Sequence, residues 1–484
     1  MFIPIDPALG LTEQIYEFLR RQIESGELAP GSRLPSTRGL AEQVGVSRNT
    51  VLGAFDWLAS EGYVEGRGQR GTVVSAVTTS PPPRRPRGEA KSIPLRSRKN
   101  RLSSYGKRLK SHRTIYSPYS WPDDILPYDF RHNVLVGDRQ SDRAWSTIFR
   151  QVLVDRSDAG YQDPEVARLR EQLLEHIAQA RGVRCRPEQL VLLIGSQAAF
   201  HIIAQITIEP GDLVALEEAH YLGIRSTMRA HGAKLKGIPI DEHGIRPERL
   251  ESDAPNAKLL YLAPSHQWPT GAMLPYGRRR AVLEWARRQN AYVIENDHNV
   301  EYRHGGKPVE SLQSLDEDDR VFYVGNLLRL RTRGLRVGFV VVPLHLVETF
   351  RAALSLAGAH SSPEEQLAFA RFIEEGHLDR TNRRVRQVAK LRRNTLSRAL
   401  RESLGDGVNL IVPRTGFHIH ATLPNVPSSA TDELLKRAAR KGVRVYPDLP
   451  FYLEPRDQLG LIFGFGDLDP PDIDEGIRRF ASVF

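Results

Sequence analysis

The chain has 484 residues, 40% hydrophobic and 26% charged, which fits ordinary globular protein in two to four domains. One cysteine, Cys185, excludes a disulfide framework or a cysteine-cluster zinc site within one chain; no run nears the ~18 apolar residues that span a bilayer, and the start (MFIPIDPALG) is no signal peptide, so a cytoplasmic setting is expected. The net charge of +10 is unevenly placed: between Arg84 and Arg113 twelve Lys/Arg face one acid, Glu89, a local +11, while the rest sums to −1.

Residues 1–75 alternate helical periodicity with turn signals. Leu11, Ile15, Phe18, Leu19 and Ile23 share one face of a helix predicted from Leu11 to Glu27 and stopped at Gly26. Ser36 is placed to cap a short helix through Leu40, Ala41 and Val44, which Gly45 stops; Ser47 is placed to cap another from Arg48 to Ala59, with Val51, Phe55 and Leu58 inward. Two short helices around a glycine turn form a helix-turn-helix pattern, whose second helix presents its first residues to base edges in the major groove. Arg48 suits guanine and Asn49 adenine, and the hydroxyls of Ser47 and Thr50 suit phosphates. Tyr63-Val64-Glu65 and Thr72-Val73-Val74 flank Gly66-Arg67-Gly68-Gln69-Arg70-Gly71, a hairpin whose thin basic tip suits a minor groove.

Residues 76–120 hold Ser80-Pro81-Pro82-Pro83 and the basic run, with few apolar residues and no period, and read as an extended, self-repelling linker. Residues 121–484 form the body. There the runs 191–194, 213–216, 259–262, 292–294 and 337–342 are strand-like, with helical stretches between most of them. That alternation predicts an α/β domain with a mostly parallel sheet covered by helices.

The stretch 1–75 resembles the GntR family of winged-helix regulators through Leu34-Pro35-Ser36-Thr37-Arg38, Gly45-Val46-Ser47-Arg48-Asn49-Thr50-Val51 and Glu61-Gly62-Tyr63. The resemblance implies a DNA-facing set of Arg33, Ser36, Arg38, Ser47, Arg48, Asn49, Thr50, Arg67, Gly68, Gln69, Arg70 and Gly71. The body carries, in order, Tyr161-Gln162-Asp163-Pro164, Gly195-Ser196-Gln197, Pro264-Ser265-His266-Gln267-Trp268-Pro269-Thr270-Gly271 and Arg336-Val337-Gly338-Phe339. Together these resemble a fold-type-I aminotransferase domain of the kind joined to a GntR head in MocR-type regulators. A homodimer follows from the resemblance, with each head reaching over the partner's body. Gly195, Ser196, Gln197, Tyr221, His266, Asn296, His298, Arg329 and Arg336 then make up the former cofactor pocket. Gly195-Ser196-Gln197 opens a helix whose N–H groups suit a phosphate, and Arg336 would be its charged partner.

Three departures set the expected function. Pyridoxal phosphate enzymes need a lysine amine for the imine, an acid at the pyridine nitrogen, and usually a tyrosine at the ring hydroxyl. By the family pattern these positions are Arg329, Asn296 and His298, and no lysine lies between Lys307 and Lys390. A guanidinium stays protonated and does not attack an aldehyde at neutral pH, so the covalent aldimine is excluded at the usual place. Asp297 is adjacent but points to the opposite face of its strand; a one-residue shift of the alignment would instead make it the ring acid. The two cations Arg329 and Arg336 favour an anionic effector; alternatively Glu295 or Asp297 folds across and closes the space. The amino-acid-sensing relatives hold an effector carboxylate with an arginine near Phe451, for which Arg456 is near enough to substitute. The expected protein is a transcription regulator on double-stranded operator DNA, with no catalytic residues, no metal, no membrane partner and no cofactor. One rival is an aminotransferase with a DNA-binding appendage; another is an inert body behind an architectural basic tail.

Overall fold

The computed structural model describes residues 3, 10–66, 68, 71–75, 102–111, 125–155, 164–298, 301–305, 309–326 and 337–484. Two compact units divide the chain, Met1–Asn100 and Arg101–Phe484.

The first unit is a winged helix. Helices α1 (Leu11–Glu24), α2 (Thr37–Val44) and α3 (Arg48–Ser60) precede an antiparallel pair, β1 (Val64–Gly66) and β2 (Thr72–Val74). Both predicted caps form: Ser36 Oγ accepts from Gly39 N–H and Ser47 Oγ from Thr50 N–H, each at 3.1 Å. Each such cap stabilises its helix by about 1 kcal/mol. Gly45 ends α2 at φ 75°, a left-handed conformation that glycine adopts without a Cβ penalty. Ile15, Leu19, Leu40, Val51, Phe55, Leu58 and Val74 close the core.

The second unit begins earlier than expected. Within the stretch read as an aperiodic linker, α4 (Ser104–Ser111) is a helix, and its Arg108 Nε donates to Ala230 O at 2.7 Å. Its inward groups are an aromatic ring and an arginine stem, which a count of apolar residues does not register. The remaining expected linker residues, apart from 102–103, lie outside the described residues.

Next come β3 (Tyr128–Asp129), α5 (Arg139–Asp155), α6 (Pro164–Arg181), β4 (Leu190–Leu193), α7 (Ser196–Thr207), β5 (Leu213–Glu217), α8 (Leu222–His231) and β6 (Lys234–Ile238). A small ribbon, β7 (Ile240–Asp241) and β8 (Gly244–Ile245), and the short α9 (Leu250–Asp253) lead to β9 (Leu259–Leu262), α10 (Tyr276–Gln289) and β10 (Tyr292–Asp297). Then follow α11 (Leu312–Leu315), β11 (Val321–Asn326), β12 (Gly338–Val341), α12 (Val347–Ala357), α13 (Pro363–Glu374) and the long α14 (His377–Leu404). The main sheet has the order β4-β12-β11-β10-β9-β5-β6, parallel except for β12, which runs against both neighbours. Strands such as β4 and β9 are buried along their whole length, as helices on both faces require.

The last part closes a smaller antiparallel sheet. Strands β13 (Asn409–Ile411) and β14 (His418–Pro427), helix α15 (Thr431–Arg440), β15 (Val443–Arg444), β16 (Tyr446–Pro447), β17 (Gln458–Gly464) and α16 (Pro470–Ala481) complete the chain. The sheet order is β13-β14-β17-β16, and β15 pairs in parallel with the distant β3. Its core of Phe130, Leu396, Leu400, Ile419, Phe463, Ile477 and Phe480 joins both ends of the body.

Candidate functional sites

In the head, the cap of α3 fixes which residues face outward. Arg48 and Asn49 follow the cap directly and are exposed, as are Arg33, Ser36, Arg38 and Ser47; Thr50 is half-buried. Ser36 and Ser47 use their oxygens as caps, and Ser47 Oγ also lies 2.8 Å from Thr50 Oγ1. Arg38, Glu42, Val46 and Arg48 border a surface hollow of about 560 Å³ between α2 and the start of α3. In the wing, Gly68 (φ 56°) and Gly71 (φ 77°) both take left-handed conformations, and the Arg33 guanidinium lies against Gly71. Arg67, Gln69 and Arg70 lie outside the described residues.

In the body, the C-terminal ends of the parallel strands converge, where open α/β sheets bind ligands. Gly195 follows β4, Tyr221 follows β5, His266 follows β9, Asn296 lies near the end of β10 with His298 just beyond it, and Asn326 closes β11. Arg329, Arg336 and Tyr161–Asp163 lie outside the described residues.

The phosphate cradle expected at Gly195-Ser196-Gln197 has an occupant. Asn326 Oδ1 accepts from Ser196 N–H at 3.2 Å, while Gln197 turns away to donate to Thr227 Oγ1 at 2.6 Å. Tyr221 precedes α8 and packs beside Phe200. Neither Asn326 nor Thr227 belonged to the set read from sequence; an amide at a strand end opposite a glycine turn was the available signal.

Strand alternation sorts the acids of β10. Asn296 Nδ2 donates to Tyr261 Oη at 2.7 Å on one face. Glu295 and Asp297 lie on the other: Glu295 accepts from Leu312 and Gln313 N–H at 3.0 Å each, and Asp297 pairs with Arg181. Neither acid folds across the pocket, and neither replaces Asn296. Burial, then the nearby Asp297, pushes the Glu295 carboxyl up to about 7.

The histidines gather in a buried aromatic cluster. The His266 ring lies 5.3 Å from His298 and 5.0 Å from His418, and Trp268 sits 4.9 Å from His418 and 5.2 Å from His132. Burial, followed by the neighbouring imidazoles, holds His266 well below the ordinary histidine value, so the ring is neutral. His418 Nε2 is 2.8 Å from Pro269 O, and burial brings its pKa down to about 4. Arg456 is committed elsewhere: its guanidinium stacks on Tyr452 and donates to Asp448, which also meets His420 Nε2 at 2.8 Å. Cys185 is half-buried, and burial raises its thiol to about 11, unlike a reactive thiolate.

Among the described residues, β10 places no acid on the Asn296 face for the pyridine nitrogen of pyridoxal phosphate. There β10 offers only an amide, with both its acids engaged on the other face.

A winged-helix head joined to an aminotransferase-type body defines a DNA-binding transcription regulator built on an enzyme fold. Residues 11–74 match the gntR family of bacterial regulatory proteins and residues 130–457 match aminotransferase class I and II. The chain belongs to the MocR-type group of the GntR regulators. It is similar to the probable rhizopine catabolism regulatory protein MocR of Rhizobium meliloti, 32% identical over 488 residues, covering 99% of this chain and 94% of that one. The HTH-type transcriptional regulator TauR of Rhodobacter capsulatus is 28% identical, covering 98% and 96%. The fold of the body matches the crystal structure of Pyrococcus horikoshii kynurenine aminotransferase, with TM-score 0.67 and 25% identity over 79% of this chain and 94% of that one. Among the described residues no helix is long and apolar enough to cross a membrane.

Proposed function

We propose that the body has left pyridoxal phosphate chemistry and serves as a dimerisation and ligand-sensing domain for the DNA-reading head. The observation that carries this reading is β10, where Asn296 meets Tyr261 on one face while Asp297 is turned to the other in its pair with Arg181. A neutral amide does not hold a ring nitrogen protonated as a carboxylate does, and Arg329 supplies no nucleophile. The effector is a small anion, a carboxylate or phosphate, drawn by Arg329 and Arg336 and able to displace the neutral Asn326 amide from the Ser196 N–H. The body is homodimeric, and the chain has no transaminase activity of its own.

The test is to incubate the protein with pyridoxal phosphate, reduce with borohydride and map the peptides. No stoichiometric phosphopyridoxyl-lysine is expected in the body; one such adduct overturns the reading. Arg329→Lys alone is expected not to restore tight coenzyme binding, because Asn296 remains. Native mass spectrometry of protein from its host reads the dimer and any retained anion together.

A further inference from the structure

Helix α14 carries nine Lys/Arg and two acids, Asp379 and Glu402, over 28 residues. Its cations divide by face. Arg384, Arg386, Arg392 and Arg398 each reach a carboxylate: Asp138, Glu301, Asp469 and Asp474 respectively. Arg383, Lys390 and Arg401 are exposed and have no acidic partner among the described residues. With the exposed Asn394 between them they recur at intervals of seven, four and seven, which keeps them in one row along the helix. At 1.5 Å rise per residue the row is about 27 Å long. Arg393 borders it, held only by the neutral acceptors Asn394 Oδ1 and Pro413 O, and the exposed Arg414 lies on the adjoining loop. Near the C-terminal end, a groove of about 550 Å³ lies between Arg393, Ser397, Arg401 and Val412.

Long side chains held by structural ion pairs explain the first set of cations. They do not explain a row that leaves its charges unsatisfied along a helix where four other cations each reach a carboxylate. We propose that the Arg383–Lys390–Arg401 face of α14 is a second DNA-contacting surface, binding the phosphate backbone of duplex DNA without reading sequence. The fit is one of charge: B-form DNA presents a phosphate every ~3.4 Å of helix axis on each strand, so a row of this length lies within reach of several phosphates. Backbone contacts of this kind add affinity and salt sensitivity and leave base specificity to the head.

The experiment compares the full-length protein with R383Q/K390Q/R401Q and with the charge-keeping variant R383K/R401K. Fluorescence anisotropy on a long random-sequence duplex is measured across a salt series. Removing three phosphate contacts is expected to flatten the slope of log affinity against log salt by about 2.7, at about 0.9 per contact. The charge-keeping variant is expected to retain the original slope, and the ratio of operator to random binding to stay unchanged for both. An unchanged slope in R383Q/K390Q/R401Q overturns the proposal. So does an equal loss in R383K/R401K, or dissociation of the dimer, since either reports packing rather than phosphate contact. If the triple variant melts early, K390Q and R401Q singly are each expected to remove about 0.9 from the slope, and no change in both overturns it equally.

Discussion

Arg181, the last residue of α6, donates through Nε to Asp297 Oδ2, the last residue of β10, at 2.6 Å, and both side chains are buried. Tyr323 Oη donates to the same carboxylate oxygen at 2.5 Å. Burial, the largest single influence, works against the charge of Arg181, but Asp297, Tyr323 and Glu295 together outweigh it, so the net shift is upward. Arg181→Ala leaves a buried carboxylate without its cation and is expected to cost about 3–5 kcal/mol. Urea denaturation of the body transition reads this directly, and a loss below 1 kcal/mol would show that water replaces the pair.

At the head, Asn49 is exposed one residue beyond the start of α3. Asn49→Ala is expected to lower operator affinity by about 1–3 kcal/mol while leaving random-sequence binding intact. Gel-shift titration of both duplexes is the measurement; equal weakening on the two would mean that Asn49 reads no base.

The buried histidines set the acid limb of stability. Burial lowers His132 and His220 to about 3 and His304 and His418 to about 4. In the unfolded chain each titrates near pH ~6.5. Below that pH the unfolded state takes up protons that the native state refuses, so stability is fully present above ~6.5 and falls as the pH drops towards about 4. Burial raises Glu217 to about 8, so there the native state keeps a proton that the unfolded state loses above ~4.5, and stability falls as pH rises through that window. Four histidines against few carboxylates place the maximum near pH ~6.5. Urea midpoints across pH are expected to trace that shape, and His418→Gln to soften the acid limb.

Backbone crowding gives a sharper case. A Cβ on Gly464 would stand 1.8 Å from Arg131 O, an atom that no side-chain rotation moves. Gly464→Ala is expected to destabilise by at least about 1–3 kcal/mol, whereas Gly277→Ala, with nothing within 4 Å, is expected to be neutral or better. Thermal melts of the two variants side by side check the contrast.

The head was legible nearly residue by residue because its signals are local: two serine caps, a glycine stop and a short apolar period. The strands at 213–217 and 259–262 were legible as apolar runs between turn signals. The antiparallel closing sheet was not, because β13 is short and half-exposed and β14 mixes histidines with its apolar residues, so its pattern depends on tertiary partners. Helix α4 was hidden by its charge. In the pocket, the one-residue alternation of β10 told Asn296 from Asp297. Nothing local announced that Arg181, far away in sequence, would clamp the latter, or that Asn326 would sit across the Ser196 N–H.

The junction of the body's two chain ends has a consequence for synthesis. Tyr128 N–H donates to Gly442 O at 3.1 Å, and Gly464 N–H donates to Phe130 O at 2.9 Å. On the ribosome the head is complete once β2 has emerged, while Phe130 waits for nearly the entire remaining chain before it can be covered. Contacts this distant in sequence form late and leave apolar surface open meanwhile. A message truncated before β17 therefore yields a finished DNA reader on a body that cannot close.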